Sequence, residues 1–168
     1  IDALPSLHSY WQPLIGVIAV LSFGLGNLVA IAQENLKRML AYSAIAHIGY
    51  ALLGLSAGTA TAYAMSLFYL LAYGLMALTA FGLLVVVSKS GQVEAINDLR
   101  GLNARSPWLA LVMLLAMFSM AGIPPTVGFF AKLGILLGLI GADQLWMATL
   151  AIIFAIIGAY YYLNVIKV

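Results

Sequence analysis

The stretch PWLALVMLLAMFSMAGIPPTVGFFAKLGILLGLIG, residues 107–141, decides the fold because it is long, apolar and interrupted. As a straight helix its 35 residues would extend about 50 Å, whereas the hydrocarbon core of a bilayer is about 30 Å thick. In its middle, Pro124 and Pro125 remove two backbone donors, so the carbonyls of Met120 and Ala121 lose their helical partners. Such a break is tolerated in a membrane only where protein or water satisfies the freed groups. The segment is therefore either a pair of half-helices at an ion site or a simple proline kink.

The composition extends this membrane assignment to the whole chain. Hydrophobic residues make up 65% of the sequence and charged residues 7%, whereas a soluble domain carries about a quarter charged residues. A cytosolic enzyme and a nucleic-acid-binding protein are thereby excluded. We expect an all-α polytopic transmembrane helix bundle that forms one domain over residues 1–168, with its fourth span broken at residues 122–125. Five apolar stretches qualify as spans, at about residues 13–32, 39–57, 61–88, 107–140 and 145–166.

Basic residues outside the spans predict the orientation. All six fall on one side of a five-span chain, and the other side has none: Lys37, Arg38, Lys89, Arg100, Arg105 and Lys167. The positive-inside rule then places the N-terminus outside and the C-terminus in the cytoplasm. Residues 88–106 form the largest segment outside the spans, where VEAINDLRGL can fold into a short amphipathic piece. We expect an ordered cytoplasmic loop there rather than a catalytic element.

Lys132 lies inside the fourth span, where a lysine costs about 3 kcal/mol on insertion scales. Such residues usually face a bundle interior or a water-filled cavity; the alternative is a lysine that snorkels to a nearby helix end. We predict a proton-transfer site in the outer half of the membrane, gated by the break at Pro124 and Pro125. Helical rise separates the break from Lys132 by about 10 Å, so we expect water, and not direct contact, to connect them.

A polar stripe follows the second span. Ser43, His47, Tyr50 and Gly54 are spaced so that they share one helix face. His47 lies about 12 Å into the span, near the midplane, where an imidazole can relay protons or form a structural hydrogen bond. We expect it to face the bundle interior with Ser43 and Tyr50, because a lipid-facing imidazole would leave its nitrogens unsatisfied. A similar stripe on the third span is expected to pack through hydrogen-bonded hydroxyls: Tyr63, Ser66, Tyr69 and Tyr73.

Residues at the span ends fit the membrane interface. Lys37 and Arg38 lie at the inner end of the second span, just before residue 39, and topology and headgroup anchoring suffice to explain them. An aromatic belt is the expected role of the aromatic residues near the span ends: Trp11, Trp108, Trp146, Tyr160, Tyr161 and Tyr162.

The sequence predicts no cofactor or metal in this chain. It contains no cysteine, and its two histidines and five acidic residues are too scattered for a recognisable metal site. It also lacks the glycine-rich fingerprint that binds dinucleotides at a strand–helix junction.

Three separated blocks closely resemble the antiporter-like membrane subunits of respiratory complex I. They are GNLVAIAQENLKRMLAYSAIAHIGY at residues 26–50, NDLRGL at 97–102 and SMAGIPPTVGFFAKL at 119–133. The sequence is most similar to the subunit N branch, also called NADH dehydrogenase subunit 2, through Gly26-Asn27-Leu28 and through Asn35 before Leu36-Lys37-Arg38. Five spans with an outside start match spans nine to thirteen of the family's fourteen. We therefore expect a fragment of the C-terminal half; its first twelve residues, IDALPSLHSYWQ, do not form a signal peptide.

The resemblance implies a redox-driven proton pump in the bacterial inner membrane. Lys132 matches the lysine that the family places on its hydrophilic axis, so protons would move through Lys132, His47 and water, with support from Ser43, Tyr50, Lys37 and the two prolines. NADH, flavin, iron–sulfur clusters and quinone would be bound by other subunits of the complex. The expected partners are those membrane subunits and lipid, and no nucleic acid.

Two other functions stay open on the sequence. A cation/proton antiporter or membrane hydrogenase subunit would share the fold, and co-purification with an NADH-oxidising arm separates them from complex I. In a purely structural membrane module, Lys132 and His47 would be replaceable by apolar residues without loss of coupling.

Overall fold

The computed structural model describes residues 8–88 and 94–168, and the described part consists of α-helices and short connections. It contains no strand beyond an isolated bridge between Asn35 and Ala95. The predicted all-α helix bundle is confirmed. In chain order the helices are α1 (His8–Ile31), α2 (Leu36–Ser56), α3 (Ala60–Ser88), α4 (Leu102–Arg105), α5 (Pro107–Ala121), α6 (Val127–Gly141) and α7 (Leu145–Lys167).

Four of these helices are long and apolar enough to cross a bilayer, namely α1 from Tyr10 onward, α2, α3 and α7. α1 begins before Pro13, earlier than the predicted span, because a proline close to the N-terminus removes a single helical hydrogen bond. Apart from that start, the helix ends agree with the predicted spans within about three residues, the usual uncertainty of helix ends.

The fourth predicted span consists of two helices of 15 residues each, α5 and α6. α5 ends at Ala121, and Gly122 has a φ of 84°, in the left-handed region that favours glycine. The N–H groups of Gly122 and Ile123 still donate to the carbonyl of Phe118, each at 3.0 Å. Pro124 and Pro125 stand where the next two donors would be, so the break falls at the carbonyls that the sequence predicted.

Close packing of α2 against α1 forms the centre of the bundle. A methyl group added to Gly26 would lie 2.6 Å from the backbone nitrogen of Ala46. One added to Gly49 would lie 2.5 Å from the backbone nitrogen of Phe23. Small residues let membrane helices approach this closely, and α2 also contacts α3, α6 and α7. The polar face of α2 is therefore enclosed by other helices.

The connection before α5 is an ordered loop, as expected, over its described part; residues 89–93 lie outside the described residues. Leu36 N donates to Glu94 O at 2.9 Å and Ile96 N donates to Glu34 O at 3.0 Å, which ties this loop to the start of α2. Asp98 Oδ2 accepts from the backbone N–H groups of Glu94 and Ala95 at 3.0 and 2.8 Å, and these bonds lower the pKa of Asp98. The expected amphipathic piece is a 3₁₀ turn, Ile96–Leu99, followed by α4.

Gly49→Ala in the full-length protein should destabilise the bundle by about 1–3 kcal/mol, because the new methyl group meets the α1 backbone. Gly74→Ala in α3 is the matched control, since nothing lies within 4 Å of the added methyl group. The measurement is the thermal unfolding of the purified protein in detergent. Equal unfolding midpoints for the two variants would contradict the close α1–α2 contact.

Candidate functional site

The polar stripe of α2 lies in the bundle interior. Ser43, His47 and Tyr50 are each at most 3% exposed. Gly54 continues the same face, where Ser66 of α3 packs against it. Ser66 Oγ donates to the carbonyl of Ala51 at 3.0 Å, so the third-span stripe meets the second-span stripe directly.

His47 is hydrogen-bonded through both ring nitrogens. Its Nδ1 lies 2.6 Å from the hydroxyl of Tyr69 on α3, and its Nε2 lies 2.9 Å from the hydroxyl of Tyr162 on α7. The ring of Tyr73 stacks on the imidazole with centroids 4.4 Å apart. Tyr162 is also hydrogen-bonded to Ser43 Oγ. The result is a continuous chain of polar groups, Ser43–Tyr162–His47–Tyr69, that links three helices.

Lys132 contacts the helix break directly, which corrects the expectation that water must separate them. Its Nζ donates to the carbonyls of Met120 and Ala121 at 2.9 and 3.0 Å. Side chains of a helix lean toward its N-terminus, and Lys132 stands in the second turn of α6. The long side chain therefore reaches back over the break. The separation of about 10 Å from helical rise describes backbone positions only and does not include this reach. The half-buried lysine supplies the donors that the two prolines remove.

Tyr50 brings the α2 stripe to the lysine. Lys132 Nζ lies 5.4 Å from the centroid of the Tyr50 ring, within the range of a cation–π contact. The Tyr50 hydroxyl donates to the carbonyl of Ala151 on α7. Its ring stacks on Phe23 of α1 with centroids 5.6 Å apart.

A cavity of about 10 Å³ joins Lys132 to the histidine network. This volume is about what one water molecule requires. The cavity is lined by Asn27, Ala46, His47, Tyr50, Lys132, Ala155, Gly158, Tyr161 and Tyr162. Asn27 Oδ1 accepts from the Tyr161 hydroxyl at 3.0 Å, and Asn27 Nδ2 donates to Phe23 O at 2.8 Å.

A larger, mainly apolar cavity of about 360 Å³ borders the break on the α7 side and also reaches Tyr50 and Lys132. Pro124 and Pro125 are exposed at the break itself. Lys37 is exposed at the N-terminal end of α2, ten residues before His47 and about 15 Å away by helical rise. The fold therefore brings Lys132, His47, Tyr50 and Ser43 into one region and leaves Lys37 outside it.

Two tyrosines of α7 are buried, which the sequence pattern at the span end did not predict. The predicted aromatic-belt role is wrong for Tyr161 and Tyr162, which are 3% and 1% exposed, whereas Tyr160 is 64% exposed. Small residues spaced three and four apart form one face of α7, which lets the helix approach its neighbours: Ala148, Ala151, Ala155 and Gly158. Tyr161 and Tyr162 continue that face, and this spacing could have identified them. Asn27, quoted only as a family marker, likewise proves to be buried at 3% exposure.

Comparison with known proteins identifies the family. Residues 2–158 match the family described as "NADH:quinone oxidoreductase/Mrp antiporter, TM". The chain belongs to this family of membrane proteins. The predicted resemblance is therefore confirmed, and Lys132, His47 and the helix break all lie inside the matched region. Among the described residues, no group of three His, Cys, Asp or Glu side chains could hold a metal ion.

Members of the NADH:quinone oxidoreductase/Mrp antiporter family with similar sequences are named NADH-quinone oxidoreductase subunit N. The protein from Coxiella burnetii is 54% identical over 98% of this chain, and the one from Thioalkalivibrio sulfidiphilus is 52% identical over 100% of this chain. The chain spans about a third of the length of these relatives, 34% and 35%.

Solved structures of the same family share the fold. A chain of respiratory complex I from Thermus thermophilus with bound NADH superposes with a TM-score of 0.89 at 32% identity, over 97% of this chain and 35% of that one. A chain of the Mrp complex from Dietzia sp. superposes with a TM-score of 0.86 at 26% identity, over 94% of this chain and 29% of that one.

Tyr162→Phe in the full-length protein should cost about 1–3 kcal/mol of stability, because it removes the buried hydroxyl that is hydrogen-bonded to Ser43 Oγ and His47 Nε2. Tyr160→Phe is the control, since it makes the same chemical change at the neighbouring exposed position. Thermal unfolding in detergent measures both. An unfolding midpoint for Tyr162→Phe that equals that of the control would show that the hydroxyl holds no buried network.

Proposed function

We propose that this chain is part of a proton-translocating membrane subunit of an NADH-quinone oxidoreductase. Quinone reduction in other subunits would drive proton movement through its buried lysine, histidine and water. NADH, flavin, iron–sulfur clusters and quinone would be held by those other subunits, which together with lipid are its partners. The names of relatives at about 50% identity support this proposal, as does the contact of Lys132 with the broken helix.

The observation that carries the proposal is the environment of Lys132. An ammonium group can release its proton only if the neutral amine is also tolerated at the same place. Both carbonyls at the break can accept hydrogen bonds from either form, and the charged form makes the stronger bonds. The break thus offers Lys132 two usable protonation states, which a lysine surrounded by lipid would lack.

His47 provides the second step of the proposed pathway. It borders the same small cavity as Lys132, which is also lined by Tyr162, the partner of His47 Nε2. One water molecule in this cavity would therefore connect Lys132 to His47 through the Tyr162 hydroxyl. Each tyrosine hydroxyl beside the imidazole can donate or accept a hydrogen bond, so the chain from Tyr69 to Ser43 can reverse its direction. Ser43 would support the pathway through its hydrogen bond to Tyr162, and Tyr50 through its contact with Lys132. Pro124 and Pro125 would support it because they free the two carbonyls that Lys132 binds.

We place the subunit in the bacterial inner membrane, with α1 entering from the outside and α7 ending in the cytoplasm. The positions of the basic residues support this orientation. Five of them lie at the same end of the five-span arrangement, namely Lys37, Arg38, Arg100, Arg105 and Lys167. Lys37 would then act as an interfacial anchor next to Leu36, which pairs with Glu94 of the loop, and not as a proton carrier.

Lys132→Ala and Lys132→Arg in the complete complex should each lower the number of protons pumped per electron. Alanine has no proton to transfer, and arginine does not release its proton in proteins. The measurement compares the quinone reductase rate with proton uptake in sealed vesicles. Lys167→Ala, which removes an exposed lysine at the end of α7, should keep the normal ratio. A normal ratio in both Lys132 variants would exclude Lys132 from the pathway.

Single cysteines should reveal the orientation in the full-length protein. Thr61 and Asn103 are exposed near opposite ends of the bundle, and the described chain has no cysteine of its own. We expect Thr61→Cys to react with an impermeant thiol reagent from the outside and Asn103→Cys only from the cytoplasmic side. Vesicles of both orientations, followed by mass spectrometry, distinguish the two faces, and labelling of both cysteines from one face would overturn the five-span arrangement.

A further inference from the structure

The ammonium of Lys132 has no acidic partner among the described residues that line its cavities. Besides Lys132, four titratable residues line the smaller cavity: His47 and Tyr50 of α2, and Tyr161 and Tyr162 of α7. α1 contributes Asn27 to that wall, which does not titrate, and Tyr69 and Tyr73 of α3 pack against His47. The charge must therefore be met by neutral groups.

Three neutral groups perform this task. The carbonyls of Met120 and Ala121 accept hydrogen bonds from Nζ at 2.9 and 3.0 Å. The Tyr50 ring presents its face to the same atom at a centroid distance of 5.4 Å. A carbonyl accepts from an amine as well as from an ammonium, whereas the electrostatic attraction of a ring face requires a positive charge. The attraction of the ring therefore exists only for the charged form of Lys132, whereas the neutral form keeps the carbonyl bonds in weaker form.

The position of the Tyr50 ring is fixed from two sides. Its hydroxyl donates to Ala151 O on α7, and its face stacks on Phe23 of α1. Tyr50 is 3% exposed. Because its own hydroxyl already has a partner, the tyrosine meets Lys132 through its ring and not through a hydrogen bond.

We propose that Tyr50 is a positioning residue for Lys132, and that its ring face completes, with the carbonyls of Met120 and Ala121, a receptor that favours the ammonium over the neutral amine. This inference rests on the proposed function, in which Lys132 holds and then releases a proton. In this inference Tyr50, a residue of the polar stripe on α2, helps to set the pH at which Lys132 releases its proton.

The test measures the protonation of Lys132 by its reactivity. Only the neutral amine attacks acetic anhydride, so brief pulses of this reagent on the complete complex, between about pH 7 and pH 11, report the neutral fraction. Peptide mass spectrometry quantifies acetylation at Lys132, with exposed Lys37 as the internal reference. Tyr50→Leu removes the ring face, and Tyr50→Phe keeps it while it removes the hydroxyl. Phe154→Leu is the packing control, because its ring contacts Phe23 in the same cluster.

We expect Tyr50→Leu to move half-maximal acetylation of Lys132 to lower pH by about one unit, since the charged form loses its cation–π contact. Tyr50→Phe and Phe154→Leu should keep the wild-type midpoint. A wild-type midpoint in Tyr50→Leu, or the same shift in Tyr50→Phe, would overturn the proposal. If Lys132 is not acetylated in any variant, the pH at which proton pumping falls to half on the alkaline side is measured instead. The same shift in Tyr50→Leu alone is then expected, and its absence would overturn the proposal.

The outcomes separate this inference from the proposed function. If Lys132→Ala keeps normal pumping while Tyr50→Leu shifts the acetylation midpoint, the receptor exists but serves no pump. If Lys132→Ala abolishes pumping and Tyr50→Leu shifts nothing, the pump uses Lys132 and the ring has no part in its proton affinity.

Discussion

The satisfaction of two backbone carbonyls is the constraint on which this site depends. A carbonyl in the hydrocarbon layer that lacks a donor costs several kcal/mol, and two successive prolines create two such groups at Met120 and Ala121. Lys132 removes this cost by donating to both. The same contact lowers the cost of placing a lysine at this depth, because the negative end of the α5 dipole faces its charge. The unsatisfied carbonyls and the buried lysine would each be unfavourable alone, and their contact offsets both costs.

The close approach of helices supplies the rest of the site. Gly26 and Gly49 let α1 and α2 come into backbone contact, and Gly158 makes room for Asn27 beside α7. This packing leaves a cavity of about 10 Å³ among the polar groups, so this centre has room for about one water molecule. Proton movement through such a centre requires side chains that themselves donate and accept, and His47 with its tyrosines meets that requirement.

The sequence predicts elements with local signals and fails where contacts are long-range. The apolar runs, the prolines at the break and the polar stripe on α2 are local, and the helix ends, the break and the burial of Ser43, His47 and Tyr50 agree with them. The partners of His47 are not local, because Tyr69 and Tyr162 lie 22 and 115 positions away. The contact of Lys132 with the break was missed for a different reason. Helical rise gives distances between backbone positions, whereas a lysine side chain spans several ångströms toward the N-terminus.

The two halves of the site respond differently to a change of charge. The network around His47 is made of groups that can exchange donor and acceptor roles, so its hydrogen bonds can be redirected without moving a helix. Lys132 instead joins α6 to the end of α5, so loss of its charge weakens a contact between two backbone segments. At the break, Gly122 lies directly against the lysine side chain. In the proposed pathway a change in the protonation of Lys132 would therefore act on the break. Tyr50, which contacts Lys132 and donates to the carbonyl of Ala151, connects the lysine to α2 and α7.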